Sequence, residues 1–175
     1  MKIWISSLSK VHDVAAAAKA RRAVSLLSPE DAFPSIDGVD DHHRVSLHDI
    51  REHVDGAVTP AEAHVSALID FLKEWRPDEP LLVHCWAGIS RSTATAMIAA
   101  CLHNDAADEM DVASAIAEAS PTAYPNTLIA AHADKILDRG GRFAAAANAI
   151  CADAERKTRA YAAPEAVPFS IPSRF

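Results

Sequence analysis

The chain is poor in cysteine, in excess positive charge and in long apolar runs, and each shortage excludes something. Its 175 residues hold three cysteines, Cys85, Cys101 and Cys151. These are too few and too scattered for a disulfide framework, so a reducing, cytoplasmic setting is expected. Hydrophobic residues reach 50%, many of them alanine, yet no apolar run is long enough to span a bilayer. Lys and Arg total 17 against 24 Asp and Glu, a net charge of -7. That balance argues against nucleic acid or an anionic membrane as a partner. It also gives no long-range attraction for phosphate, so any anion affinity must be local. Met1-Lys2-Ile3-Trp4-Ile5 lacks a charged region followed by an apolar stretch and is read as a first strand, not a signal peptide. No internal repeat is visible. The length suits one domain with a real core.

What the chain does have is concentrated in His84-Cys85-Trp86-Ala87-Gly88-Ile89-Ser90-Arg91-Ser92. Leu81-Leu82-Val83 leads in as a buried strand, and Thr93 to Cys101 follows as an apolar helix. The nucleophilic form of cysteine is the thiolate, and a free thiol titrates near ~8.5. A helix N-terminus and a neighbouring cation both favour the thiolate. The amides of Trp86 through Arg91 have no helical partners of their own, and wrapped into a loop they form a nest for an anion. The dipole of the following helix adds partial positive charge at the same place. Gly88 supplies the freedom in φ that a tight loop needs. Arg91 can grip two phosphate oxygens side by side. The pattern predicts two-step phosphoryl transfer, with attack by Cys85 and then hydrolysis of the thiophosphate. Ser92 is placed to hydrogen-bond the sulfur and ease its departure. The His84 ring is expected to tie the strand end to neighbouring backbone.

This stretch closely resembles the Cys-x5-Arg-Ser/Thr signature of the protein tyrosine phosphatase superfamily, most of all its compact, dual-specificity-like branch, with a bacterial wording. The resemblance implies a single-domain, three-layer α/β fold. A central, mostly parallel sheet would be flanked by helices, with the phosphate loop between a central strand and the following helix. The resemblance covers about residues 1–140 by pattern; a catalytic domain is expected over 1–160, and Pro164, Pro168 and Pro172 mark a tail over 161–175. The reaction centre would comprise Cys85, Arg91 and Ser92, with Trp86, Ala87, Gly88, Ile89 and Ser90 cradling phosphate. No cofactor is implied. The partner would be a phosphorylated protein or a small phosphoester.

A phosphate monoester also needs its leaving oxygen protonated. In the resembled family an aspartate does this, from a loop roughly thirty residues before the cysteine. Asp49 and Asp55 lie 36 and 30 residues before Cys85. Spacing slightly favours Asp55. Strand context favours Asp49, which directly follows the strand Arg44–Leu47, and extra loop residues are easily tolerated. Asp49 is the preferred acid and Asp55 the alternative. The Pro125-Asn126 pair opening a late helix resembles a Ser-Pro-Asn segment of dual-specificity phosphatases. Asn126 would there brace the anion loop, or it is a plain N-cap. His42, His43, His48 and His53 fit no common metal-site spacing, so no metal is expected.

Further elements are expected as strands at 3–6 and 23–27 and helices at 11–22, 91–104, 108–119, 126–138 and 142–159. One more helix is expected to start at Thr59-Pro60-Ala61-Glu62, with Thr59 as N-cap. The loop carries no lysine between Cys85 and Arg91, unlike superfamily members that attack phosphoinositides. Phosphotyrosine is the expected substrate, with dual specificity open. Two other readings remain. One is a catalytically silent phosphate-binding module. The other is a redox enzyme of the arsenate reductase type, which needs a resolving cysteine. Oligomeric state is not legible.

Overall fold

The computed structural model describes residues 1–104, 106–158 and 169–170. Most of the predicted tail therefore lies outside the described residues. The strands are β1 (Lys2–Ser7), β2 (Arg22–Leu27), β3 (Asp41–Ser46), β4 (Pro80–Cys85) and β5 (Phe169–Ser170). They form one sheet in the order β3-β2-β4-β1-β5. The first four run parallel, and β5 adds two antiparallel residues against Trp4 and Ile5. The helices are α1 (Val11–Ala18), α2 (Glu62–Lys73), α3 (Arg91–Leu102), α4 (Glu109–Ala119), α5 (Thr127–Ile136) and α6 (Arg142–Thr158).

The sheet is covered on both faces, as a parallel sheet must be. On one face α1 packs over β1 and β4, burying Val11, Val14 and Ala15 against Ala23 and Leu82. On the other face α3 crosses β1, β2 and β4. Every residue of α3 from Arg91 to Cys101 is buried. From Ala96 to Cys101 this helix is apolar all round, as a core helix must be, and its alanines let neighbours approach. The second layer of helices encloses it: α2, α4 and α5 contact α3, and α6 packs on α4 and α5. Phe143, Ala146, Ala147 and Ile150 of α6 complete the same core. No described helix is long and apolar enough to cross a membrane.

Three of the boundaries that differ from the sequence reading have a clear local reason. Helix α1 stops at Ala18 because Lys19 adopts a left-handed conformation (φ 54°) and returns its N–H to Ala15 and Ala16. Strand β3 begins at Asp41 instead of Arg44. His42 and His43 fit the pairing because Ser25 and Phe71 receive their rings. Helix α2 starts at Glu62 with Ala61 as N-cap, and the Ala61 N–H goes to His64 Nδ1 at 3.2 Å. Thr59 Oγ1 makes no hydrogen bond.

Two buried carboxylates fix the helical layer behind the site. Asp134 accepts the N–H groups of Gly141, Phe143 and Ala144, which sets the start of α6. Glu109 sits between Arg139 at 3.3 Å and Arg142 at 3.1 Å.

Candidate active site

Cys85 ends β4 and Arg91 opens α3, so residues 86–90 form a loop at the carboxyl end of a central strand. In such sheets this is where ligands bind. Outward carbonyls shape the loop. Leu8 N–H donates to Trp86 O at 3.0 Å, Tyr124 N–H to Ile89 O at 3.0 Å, and Asn126 N–H to Ser90 O at 3.2 Å. A trans peptide points its carbonyl and amide in opposite directions. The amides of Ala87, Ser90 and Arg91 are thereby turned to the inner side. Gly88 adopts φ +76°, and a Cβ there would lie 2.7 Å from the Ser6 carbonyl carbon. The glycine thus gives both the backbone turn and the close approach to β1.

The sulfur of Cys85 is buried. Gly88 N–H donates to it at 3.2 Å, and Ser92 Oγ lies 3.2 Å away. Both are donors suited to a thiolate. The Arg91 guanidinium is also buried. Its Nη1 donates to Leu47 O at 2.8 Å and to Ser28 Oγ at 3.4 Å, joining the ends of β3 and β2. Its Nε has no hydrogen-bond partner. A buried guanidinium N–H of this kind suits an oxyanion.

The two candidate acids fall in different places. Asp49 lies across the loop: Oδ1 accepts Ser90 Oγ–H at 2.6 Å and Asn126 Nδ2 at 2.9 Å. Its Oδ2 stands 3.7 Å from Arg91 Nε. Asp55 is fully exposed and pairs with His53 at 3.2 Å. The structure therefore places Asp49, not Asp55, beside Ser90 and Arg91. Asn126 serves in two ways at once. Its Oδ1 caps α5 by accepting from Leu128 and Ile129. Its Nδ2 holds Asp49 and the Ile50 carbonyl, so the side chain braces the acid-bearing loop while the main chain braces Ser90.

His84 is buried, and its ring reaches across to β2. Nε2 lies 2.5 Å from Ser25 Oγ, which also meets His42 Nε2 at 2.6 Å. The backbone contact is the lesser one, Nδ1 to Cys85 O at 3.4 Å. Burial pushes His84 down to about 4, so the ring is neutral near pH 7. Burial likewise raises Cys101 to about 12, with Glu109 adding to the effect, and it raises Cys151 as well. Neither is a ready thiolate. The four histidines each have a different partner: His42 on Ser25, His43 on Phe71, His48 on Val58 and Glu30, and His53 on Asp55. Among the described residues no three His, Cys, Asp or Glu side chains are grouped to hold a metal ion.

Beside the loop opens a cleft of about 500 Å³, lined by Asp49, Ser90, Ile50, Arg51, Glu52, Val54 and Tyr124. Arg51 lies over the Tyr124 ring at 4.2 Å, and Tyr124 donates its hydroxyl hydrogen to Glu155 on α6. Trp86 stays 60% exposed, so it stands on the rim and does not pack beneath the loop. The sequence reading missed Ser28, Arg51, Glu52 and Tyr124. Only Ser28, at a strand's carboxyl end, carried any signal.

Comparison with known proteins agrees with this geometry. The protein-tyrosine phosphatase family model matches residues 34–120. Human DUSP28 superposes with a TM-score of 0.61 at 19% identity, covering 78% of this chain and 88% of its own. The human tyrosine phosphatase-like serine/threonine/tyrosine-interacting protein gives 0.61 at 14% identity, with 79% and 92% covered. PTPMT1 in complex with PI(5)P gives 0.55 at 17% identity, with 79% and 94% covered. At these identities the likeness is one of fold. No curated protein matches the sequence.

Proposed function

The chain belongs to the protein tyrosine phosphatase superfamily, with a dual-specificity-like fold, and from that premise we propose a specific chemistry. It hydrolyses phosphate monoesters through a thiophosphoryl-enzyme intermediate, acting on phosphotyrosine proteins with possible dual specificity. Cys85 attacks phosphorus. The inward amides of the loop and Arg91 hold the three equatorial oxygens, whose charge they stabilise in the transition state. Asp49 protonates the leaving oxygen and then takes a proton from the attacking water. Ser92 donates to the departing sulfur. His84, neutral and turned to Ser25, is no general base. We further propose one catalytic domain over 1–160 with a tail over 161–175, working in a reducing cytoplasm.

The observation that carries this reading is convergence. Asp49 reaches Ser90 of the loop that holds the Cys85 sulfur, and it does so beside Arg91. A second reading has its own support. The hydrogen bonds from Ser90 and Asn126 are also what a purely structural brace would make, and the fold matches a human protein described as tyrosine phosphatase-like. That reading is a silent phosphate-binding module. A redox role of the arsenate reductase type has no such support, because burial raises both remaining thiols. A phosphoinositide complex is known on the same fold, but the loop here carries no lysine between Cys85 and Arg91.

Turnover of para-nitrophenyl phosphate separates the two supported readings. The expected result is activity in the wild type, none in Cys85→Ser, and loss of the basic limb of the pH–rate profile in Asp49→Asn but not in Asp55→Asn. Wild-type protein that binds phosphate yet turns nothing over establishes the silent module instead.

A further inference from the structure

His48 plays no part in the chemistry above, yet it closes the loop that carries Asp49. Its main-chain N–H donates to Val58 O at 2.9 Å. Its ring Nδ1 accepts the Val58 N–H at 2.8 Å. The two residues pair edge to edge, and everything from Asp49 to Ala57 is looped out between them. Because Nδ1 accepts an N–H, the neutral ring carries its proton on Nε2. That N–H meets Glu30 Oε1 at 3.1 Å, from the segment after β2. Both ring nitrogens are therefore committed, and the ring plane is fixed from two directions.

Beyond this neck the loop has few anchors. Asn126 holds the Ile50 carbonyl, and Arg51 rests on Tyr124. Residues 51–56 are exposed throughout. Leu47 anchors the chain in the core as it leaves β3, but from Asp49 to Gly56 no side chain is buried. The main chain on either side of the bond between His48 and Asp49 is set by the neck on one side and by Ser90 with Asn126 on the other.

We propose that His48 is a positioning residue for proton transfer: its Nδ1 holds the Val58 N–H, closes the neck of the 49–57 loop, and so sets the angle at which the Asp49 carboxyl meets the leaving oxygen. The proposal rests on Asp49 being the general acid. The acceptor must sit where Nδ1 does. An asparagine Oδ1 occupies nearly that position, a glutamine oxygen lies one bond further out, and a leucine keeps the bulk with no acceptor.

The test uses the full chain and a series of aryl phosphates running from para-nitrophenyl to phenyl phosphate. A good leaving group needs little protonation, and a poor one needs it fully. Misplacing the acid by an ångström is worth up to about 100-fold. In His48→Leu, kcat/KM, which reports the step that expels the leaving group, should fall about tenfold more on phenyl phosphate than on para-nitrophenyl phosphate. His48→Asn should restore the phenyl phosphate rate to within about threefold of the wild type, and His48→Gln should not. An equal loss of kcat/KM on every ester, or Asn no better than Leu, overturns the proposal. Asp49→Asn in the same series keeps the two questions apart. If Asp49→Asn shows no leaving-group dependence, Asp49 is not the acid and both readings fall. If it shows that dependence while His48→Leu does not, only the role of His48 falls. Thermal unfolding accompanies each variant, and if the leucine protein does not fold, Asn against Gln makes the same comparison.

Discussion

Gly88→Ala is the most direct check on the loop. The residue sits at φ +76°, where an L side chain costs about 1–2 kcal/mol. Its new Cβ would lie 2.7 Å from Ser6 C, 2.8 Å from Ser6 O and 2.8 Å from Ser7 N. Those are backbone atoms of β1, held in register with His84 and Cys85. They have no rotamer to yield, and such overpacking costs roughly 1–3 kcal/mol more. Together the two costs come to roughly 2–5 kcal/mol. A chain of this size loses about 2–4 °C in Tm per kcal/mol, so the melting point should drop by on the order of 10 °C. Relief is available only by moving the loop off β1. That pulls Trp86 O from Leu8 and Gly88 N–H from the Cys85 sulfur. Aryl phosphatase kcat/KM should therefore fall with the melting point. Differential scanning calorimetry and steady-state kinetics measure the two. A variant that melts within about 2 °C of the wild type and keeps full activity refutes the loop geometry.

Acid stability should report on His84. Its pKa is depressed in the fold to about 4 from an ordinary 6.5, so between those values the unfolded chain binds a proton that the folded one does not. Stability therefore falls as pH drops from 6.5 to 4, by on the order of 3 kcal/mol in total. His42, also pushed down to about 4, adds in the same direction. Urea unfolding across that window should show a shallower slope in His84→Gln, and an unchanged slope contradicts the burial argument. Asp134→Ala strips three amides at the start of α6 of their acceptor and should cost about 2 kcal/mol. Its Tm should fall by roughly 4–8 °C. Its kcat should stay within about twofold, because Asp134 touches none of the reacting groups.

The loop between Cys85 and Arg91 was legible because its signals are local. A strand, a cysteine, a glycine, an arginine and an apolar helix follow within a few residues of one another, and local order suffices to fold them into a nest. The helical layer was legible for a similar reason, since each apolar face repeats at helical spacing. What was not legible depends on contacts far apart in sequence. Asp49 meets Ser90 at a separation of 41 residues and Asn126 at 77, and no spacing rule separates it from Asp55. The start of β3 was missed because His42 and His43 look like loop residues until Ser25 and Phe71 take their rings. The end of α1 was missed because lysine rarely terminates a helix in the left-handed conformation that glycine favours. Asn126 was read as either a cap or a brace. Its amide oxygen caps α5, while its nitrogen holds Asp49 and Ile50 and not the anion loop, which only its main-chain N–H reaches.

Arg91 fixes the chain where it enters the loop that carries Asp49. Its Nη1 holds Leu47 O at 2.8 Å, a bond sealed inside the protein between residues that are 3% and 1% exposed. Two residues on, the Asp49 carboxylate is a third exposed and is held by Ser90 and Asn126. Breaking the first bond strands a buried charged donor, whereas water can replace the partners of the second. Any departure of the loop from the anion site therefore leaves Leu47 in place and turns between Leu47 and Asp49. The residue there is His48, whose ring is tied to the far end of the same loop at Val58. The neck stays closed in such a turn, and Asp49 moves with the main chain of the loop.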